Sequence, residues 1–456
     1  MKGFLIDKLF FVILILNATG LFSFIAPQIG VSIGQVSVVL LGINILYLIA
    51  KIRYIKVLFS RGRMWGWLFV LGFWPLLTVL HAPSFEVRQI GLQLYFVTLF
   101  TGAAVYAINN GLQAVHRVLS VSLVITVFGL VMSLIAPQYF EAVSELASAE
   151  ILREERSFGF LLQPNQLAVS MIFLFIGWFA LCRFERTFLS VLAILTFLFA
   201  MLLTGSRTGM LMAVIIVVFI QLNAWKRKWM SGRFVLTTGV LIACLLGGAI
   251  GINYYLSSVG SPDIALGGDL KDRIGMFLSF RFSSEGDLTE DTSVQLRLMT
   301  QTVYWALVME KPFLGHGFGS DIHYLETGPI FLSAHSDALR CAMEYGFIYS
   351  IIFALLMIQT YLIRCRHEIE KVLQTNAVGQ FAFVTVLLFI VASIMDSRTF
   401  YVILGIFLAQ LYCPRHIFRF EEKTGRIDAI LSRREIYRRF LKKKYLYRPG
   451  KSYVDA

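Results

Sequence analysis

Apolar residues run in long blocks along this chain, each closed by a short polar or charged interruption. Twelve blocks can be delimited, near 9–27, 30–50, 64–81, 88–108, 115–137, 166–183, 187–204, 208–224, 234–256, 347–363, 377–395 and 400–413. A helix of about 20 apolar residues crosses a bilayer core. Helices are the economical reading, because hydrocarbon offers no partner to free backbone groups. Barrel strands would be about 10 residues long and would alternate, which these blocks do not. The first block follows Lys2 and Lys8 in the manner of a signal peptide. No small-residue A-x-A site ends it and eleven further blocks follow, which favours a retained first helix. The expected fold is therefore an all-α polytopic membrane protein with about twelve transmembrane helices.

Between blocks most connections are short. Two are not. The connection at 138–165 includes most of "EAVSELASAEILREERSFGFLLQPNQ" (141–166), with a short helix expected over 141–153. Residues 257–346 form one large loop of turn-rich and polar sequence. It contains an amphipathic helix pattern at 294–311, a glycine turn "PFLGHGFGS" at 312–320, and a second helix from about 333 leading straight into the tenth block. The expected organisation is nine membrane helices over 1–256, the large loop over 257–346, three more helices over 347–413 and a tail over 414–456.

Charge orients the array. Hydrophobic residues make up 57% of the chain, and the net charge is +13. With the N-terminus placed in the cytoplasm, the cytoplasmic segments carry 30 of the 41 Lys+Arg and only 9 of the 28 Asp+Glu. That is the positive-inside bias, and the opposite assignment inverts it. Both termini are then cytoplasmic, and the large loop faces the other side. The tail carries thirteen Lys+Arg and five acidic residues. Residues Ile427, Ile430, Leu431, Tyr437, Phe440 and Leu441 could line one side of a basic helix docking on anionic phospholipid. A disordered solubilising tail is the alternative. Nucleic acid is not expected as a partner, since membrane tethering already accounts for the charge. Cys182, Cys244, Cys341, Cys365 and Cys413 stand singly, with neither disulfide nor zinc spacing.

Cations are scarce on the loop side, so the few present carry information. Arg207 stands in "LLTGSRTGM", at the outer end of a helix hairpin with no nearby acid in sequence. Arg156 precedes "SFGFLLQPNQLA", Arg297 lies early on the loop helix, and Arg398 lies in "MDSRTF" between the last two blocks. Ionisable groups at membrane depth are costly and usually functional. Arginines at helix ends also snorkel to headgroups, the preferred reading for Arg398. Around Arg207 the small residues Gly205, Ser206, Thr208 and Gly209 leave room for an anion. Arginine offers a planar, permanently charged fork that fits phosphate oxygens. Several forks at the outer leaflet would suit a pyrophosphate whose lipid tail lies in the bilayer. The missing counter-ion of Arg207 would then belong to the substrate.

Three histidines, His316, His323 and His335, lie in the large loop, at spacings that fit no known metal-ligand pattern. His316 in "GHGFG" reads as a turn residue. His335 begins a helix facing the membrane surface, where a histidine can act as general base on a sugar hydroxyl. A capping or buried histidine is the alternative. There is no G-x-S-x-G and no H-E-x-x-H. Glu285 and Asp287 form one E-x-D of the kind seen in metal-dependent glycosyltransferases, but in a loose polar stretch. No metal and no cofactor are expected.

Four stretches together resemble the O-antigen ligase-like superfamily of bacterial O-antigen ligases, O-antigen and exopolysaccharide polymerases and some protein O-oligosaccharyltransferases. They are "RSFGFLLQPNQLA" (156–168), "TGSRTG" (204–209), "RLMTQTVYWALVMEKPFLGHGFGS" (297–320) and "AHSDALRCAMEYG" (334–346). They occur in that family's order and at its membrane positions, and cover roughly the second half of the chain. The resemblance implies a GT-C-like fold and a multi-pass protein of the bacterial inner membrane, with its site on the periplasmic face. It implies an undecaprenyl-pyrophosphate-linked oligosaccharide donor and a glycan or lipid A-core acceptor, joined without metal. Carried over by position, Arg207 and Arg297 would bind the pyrophosphate and His335 would activate the acceptor hydroxyl. Arg156 and Asn165 match a frequent pocket motif, and together with Arg398 they are the candidate substrate-binding residues. Ser336 departs from the family, where Asn often follows the histidine. Fixed arginines in a low-dielectric site would stabilise charge growing on the departing phosphate. Attack from the opposite face of the sugar would invert its anomeric carbon, and no hydrolase-type carboxylate pair is required.

Within that class, a polymerase extending lipid-linked repeats is preferred to a ligase, on motif wording. It would be expected to work with a chain-length regulator. A glycan or lipid transporter is the reading from a different class. Transporters tend to show inverted repeats and broken midplane helices; here the polar features gather at one face.

Overall fold

A computed structural model describes residues 2–60, 62–83, 87–136, 138–140, 143, 159–161, 164–181, 187–204, 206–226, 239, 292–328, 330, 334, 336–362 and 377–412. Among them every regular element is helical. In order these are α1 (Lys2–Thr19), α2 (Leu21–Gln28), α3 (Ile33–Ala50), α4 (Ile52–Phe59), α5 (Arg63–Leu68), a π-helical turn (Phe69–Phe73), α6 (Trp74–Thr78) and α7 (Val87–Ile135). After a 3-10 turn (Gly159–Leu161) come α8 (Pro164–Leu181), α9 (Thr187–Leu203) and α10 (Arg207–Lys226). The second half holds α11 (Thr292–Glu310), α12 (Ser320–Thr327), α13 (Asp337–Tyr345), α14 (Phe347–Leu362), α15 (Ala377–Val391) and α16 (Arg398–Tyr412).

Eleven of the twelve apolar blocks coincide with helices, and the ninth, 234–256, lies outside the described residues apart from Gly239. Among the described residues two, Met64–His81 and Gln89–Ser133, are long and apolar enough to span a bilayer, or four when each of two bent pairs counts as one span. Six more are apolar helices of 10–17 residues. The interruptions have local causes. Gly20, in the left-handed region at φ 69°, turns α2 away from α1 by 90°. Helix α4 leaves α3 at 81°. Two predicted blocks, 88–108 and 115–137, merge into α7, whose helical geometry is broken at Gly111 (φ 75°, ψ −177°). Pro75 lacks an N–H to donate, and the preceding turn widens to π-helix over Phe69–Phe73. Val38, Leu46, Ile49 and Val124 are each more than 60% exposed. An outer belt of this kind is stable only against hydrocarbon, and the chain is a helical membrane protein.

The centre of the bundle is α16. Every residue from Thr399 to Tyr412 is buried, so it is apolar all round rather than on one stripe. It lies along the first half of α7 and against α1 and α8. Gly405 makes the close approach to α7 feasible, since a Cβ there would collide with the Phe100 carbonyl. Phe96 stacks on Tyr401 at 4.6 Å in the same seam, and Phe381 of α15 stacks on Phe407 at 4.4 Å on another side of α16.

The expected loop helix is present as α11. It packs on α13 through a separate small core of Tyr304, Leu307, Val308, Ile330, Ala334, Ala342 and Met343. The expectation that the second loop helix runs straight into the tenth block is corrected. Gly346, at φ 83°, separates α13 from α14. A side chain at Gly346 would strike the Phe313 carbonyl, and the Phe347 amide donates to Pro312 O at 2.8 Å. The glycine turn therefore docks between the two helices and forces them apart. The short helix expected at 141–153 and the basic tail lie outside the described residues, apart from Val143.

Candidate active site

Two of the resembling stretches meet at the start of α8 and α10. Ser206 caps α10. Its Oγ accepts the Gly209 amide at 3.2 Å and donates to Asn165 Oδ1 at 3.1 Å. Thr204 Oγ1 accepts the Ser206 amide at 3.3 Å. Arg207 is the first residue of α10. Gly209 lets α10 press on α8, because a Cβ there would come within 2.7 Å of Ala168 Cβ. Two helix N-termini thus converge, joined through exposed Asn165 and buried Ser206. Unpaired amides and the positive ends of both helix dipoles favour an anion at such a place.

One and a half turns along α8 from Asn165, a third helix start joins. Ser170 Oγ lies 2.9 Å from Thr399 Oγ1, to which it can donate, and 3.4 Å from Ser397 Oγ. Thr399 Oγ1 also reaches the Ala18 carbonyl at 2.8 Å. These bonds fix the start of α16, and with it Arg398. The Arg398 guanidinium lies 4.2 Å above the Phe22 ring and donates from Nη1 to Ser23 Oγ at 3.2 Å. Snorkelling to headgroups, the reading preferred from the sequence, is therefore corrected: α2 folds over the arginine and turns it inward.

The third element is α13. Ser336 caps it, accepting the Leu339 amide at 3.4 Å. Asp337 is completely buried. Its Oδ2 accepts the Met395 amide at 2.6 Å and the Ile394 amide as well, and its own amide donates to Ala392 O at 3.1 Å. Its Oδ1 is 2.8 Å from the Arg340 guanidinium, which donates to Asp396 at 2.6 Å. Asp337 therefore staples the segment following His335 to the loop that delivers Arg398. Sequence reasoning missed Asp337, Arg340 and Asp396. The signal available was an i, i+3 Asp–Arg pair in a cation-poor loop, which reads equally well as a solvated helix face.

The "GHGFG" stretch is a turn, with Gly315, Gly317 and Gly319 all at positive φ. It is clamped to α13: the His316 and Gly317 amides donate to Met343 O and Glu344 O, each at 2.8 Å, and the Gly319 amide to Glu344 Oε1 at 3.1 Å. His316 has both ring nitrogens engaged, Nε2 with Leu307 O at 2.8 Å and Nδ1 with Tyr324 Oη at 2.9 Å. The carbonyl accepts only, so Nε2 carries the proton and Nδ1 accepts from the tyrosine. No ring nitrogen is left for a metal. Burial raises the Glu344 carboxyl to about 7 and the Asp321 carboxyl to about 6, in each case against the lowering influence of Arg340.

Of the residues singled out from sequence, the structure brings Asn165, the backbone of Arg207 and Arg398 to one end of the bundle, linked along α8. Arg297 is placed on α11 by its backbone. The side chains of Arg207 and Arg297, and the whole of Arg156 and His335, lie outside the described part, as do Glu285 and Asp287. The residues flanking His335 on either side, Ala334 and Ser336, are buried.

Among known proteins, a family model described as O-antigen ligase matches residues 191–354. No curated protein matches the chain. The matched stretch runs from α9 into α14 and includes Arg207, Arg297, His335 and Asp337, with Asn165 and Arg398 beyond its ends. The match falls on the same loop and helix starts that build this end of the bundle, and over that stretch the chain is similar to the O-antigen ligase family.

Proposed function

We propose that the protein is a metal-independent, inverting glycosyltransferase of the bacterial inner membrane. It takes an undecaprenyl-pyrophosphate-linked glycan on the periplasmic side and transfers it to an acceptor hydroxyl. The observation carrying this reading is the junction of the α8 and α10 N-termini at Asn165 and Ser206, with Arg207 as the first residue of α10. In this reading Arg207 and Arg297 hold the pyrophosphate, whose departing oxygens gain charge as the glycosidic bond breaks. Helix dipoles and guanidinium groups pre-aimed at those oxygens stabilise that charge without reorganising. Pyrophosphate is a good leaving group, and the arginines supply the positive charge a metal would otherwise provide. His335 takes the proton of the acceptor hydroxyl as it attacks the anomeric carbon from the opposite face. Arg156 and Asn165 line the donor side.

Repeat-unit polymerisation, with a further lipid-linked repeat as acceptor, is the preferred form. Ligation to lipid A-core is the second reading, favoured by the description of the family that matches 191–354. Glycan analysis of a deletion strain separates them. Single lipid-linked repeats should accumulate if the protein is a polymerase, and long lipid-linked chains if it is a ligase. Loss of the glycan together with lipid-linked donor trapped on the cytoplasmic face would indicate a transporter and overturn both.

A further inference from the structure

Arg398 lies outside the segment the family match covers, and its surroundings come largely from the N-terminal helices. Its Nη1 donates to Ser23, Phe22 lies beneath the guanidinium, and the Tyr95 hydroxyl lies beside it. Tyr95 in turn bonds Asn17. Among the described residues Arg398 makes no ion pair, and its Nε is buried without a hydrogen-bond partner. The nearest carboxylate in sequence, Asp396, is committed to Arg340 at 2.6 Å.

The electrostatics are incomplete as they stand. Arg398 is the first residue of the 15-residue α16, so a permanent cation sits at the positive end of a helix dipole. That placement is unfavourable by itself, since helix N-termini stabilise anions and repel cations. Arg398 is half-buried, and the water it loses adds a desolvation cost that a counter-charge offsets. Serine and tyrosine hydroxyls orient a guanidinium but bring no charge. One planar edge is therefore held in place, and among the described residues no carboxylate pairs with it directly, Asp396 acting on it only at longer range while bound to Arg340, which is what an arginine awaiting an oxyanion requires. The neighbouring surface indicates where the anion comes from. Further along the segment that supplies Phe22 and Ser23, Ile25 on α2 (41%) and Ile29 just after it (66%) are exposed. Its Phe24 packs into a side cluster with Phe140, Val143 and Phe160. An alkyl chain lying on α2 would bring its phosphate to Arg398.

We propose that Arg398, with Ser23 and Tyr95, forms a second phosphate-binding position, separate from the start of α10, whose ligand is a phosphate group carried on a lipid. Ser170 and Asn165 are five residues apart on α8, a rise of about 7–8 Å. The two anion positions are thus neighbours but not the same place. The first helices of the chain then have a role that the matched segment cannot supply, because α1, α2 and α7 build the walls of this second position.

The test is equilibrium binding to the full-length protein in phosphatidylcholine nanodiscs, with farnesyl pyrophosphate as probe. Arg398→Gln should weaken binding by about ten- to a hundredfold, the worth of a hydrogen bond to a charged partner. Arg398→Lys should fall between that variant and wild type, since it keeps charge but loses the fork. Ser23→Ala should weaken binding several-fold with an unchanged unfolding temperature, which keeps the test informative if Arg398→Gln folds poorly. Inorganic pyrophosphate should bind far more weakly than the farnesyl compound; equal binding would overturn the lipid-borne source. Loss of the Arg398-dependent binding when phosphatidylglycerol replaces phosphatidylcholine would support the site and assign it to a phospholipid headgroup. Binding within twofold of wild type in both Arg398→Gln and Ser23→Ala, for every probe, would overturn the proposal. Because the readout is binding, it stands or falls apart from any transferase activity.

Discussion

Replacing Asp337 by alanine should release the loop that carries Arg398 while leaving the bundle intact. The carboxylate is completely buried, accepts the Ile394 and Met395 amides through one oxygen and pairs with Arg340 at 2.8 Å through the other. Removing one member of a buried ion pair costs about 3–5 kcal/mol, because the other is left uncompensated. Arg340 retains Asp396 at 2.6 Å, which places the expectation at the lower end, about 3 kcal/mol. Asp337→Asn keeps the shape and one acceptor and should cost about half as much. Hydrogen exchange reads this directly. About 3 kcal/mol corresponds to a drop in protection of roughly two powers of ten at residues 392–397, while the peptide covering 402–412 should not change. Glycan transfer should fall in the same variant. Protection at 392–397 within threefold of wild type would show that the aspartate does not hold this loop, and the argument linking α13 to Arg398 would fail.

Arg207→Lys should lose transfer almost as badly as Arg207→Ala, on the order of 10²–10³-fold, because it keeps charge without the fork; near wild-type transfer would refute the fork. His335→Ala should lower turnover by about 10²–10⁴-fold while donor binding persists, as single-turnover transfer and binding measured side by side would show. Burial raises the Glu344 carboxyl to about 7, above its unfolded value. Its contribution to stability is therefore complete in acid, below the unfolded value, and is lost as pH rises through about 7. Thermal unfolding followed from pH 5 to 8 should show that decline, and Glu344→Gln should flatten it. Gly405→Ala should destabilise the bundle by about 1–3 kcal/mol through overpacking, since the new methyl meets the Phe100 carbonyl; an unchanged unfolding temperature would mean that α7 and α16 can move apart.

What the sequence determined by itself is what depends on local composition. Apolar blocks long enough for a bilayer fix helices at eleven of the twelve places where they were drawn, because backbone groups in lipid have no other partner. Four short motifs in order were enough to indicate the family. Whether each block crosses in one piece was not legible, because that depends on single backbone positions. Gly20, Gly111 and Gly346 break helices in stretches whose hydropathy hardly changes. The site divides in the same way. "TGSRTG" and "PNQ" announce small residues around an anion, and the structure joins them through Ser206 and Asn165. That Asp337 would reach residues 57 and 58 positions away along the chain, and that Phe22 and Ser23 would enclose Arg398 from 375 residues upstream, no local pattern could indicate. A carboxylate or guanidinium near the end of a helix has the same sequence signature whether it faces solvent or a buried loop. Only the packing of distant helices decides which groups lose their water and so must find a partner.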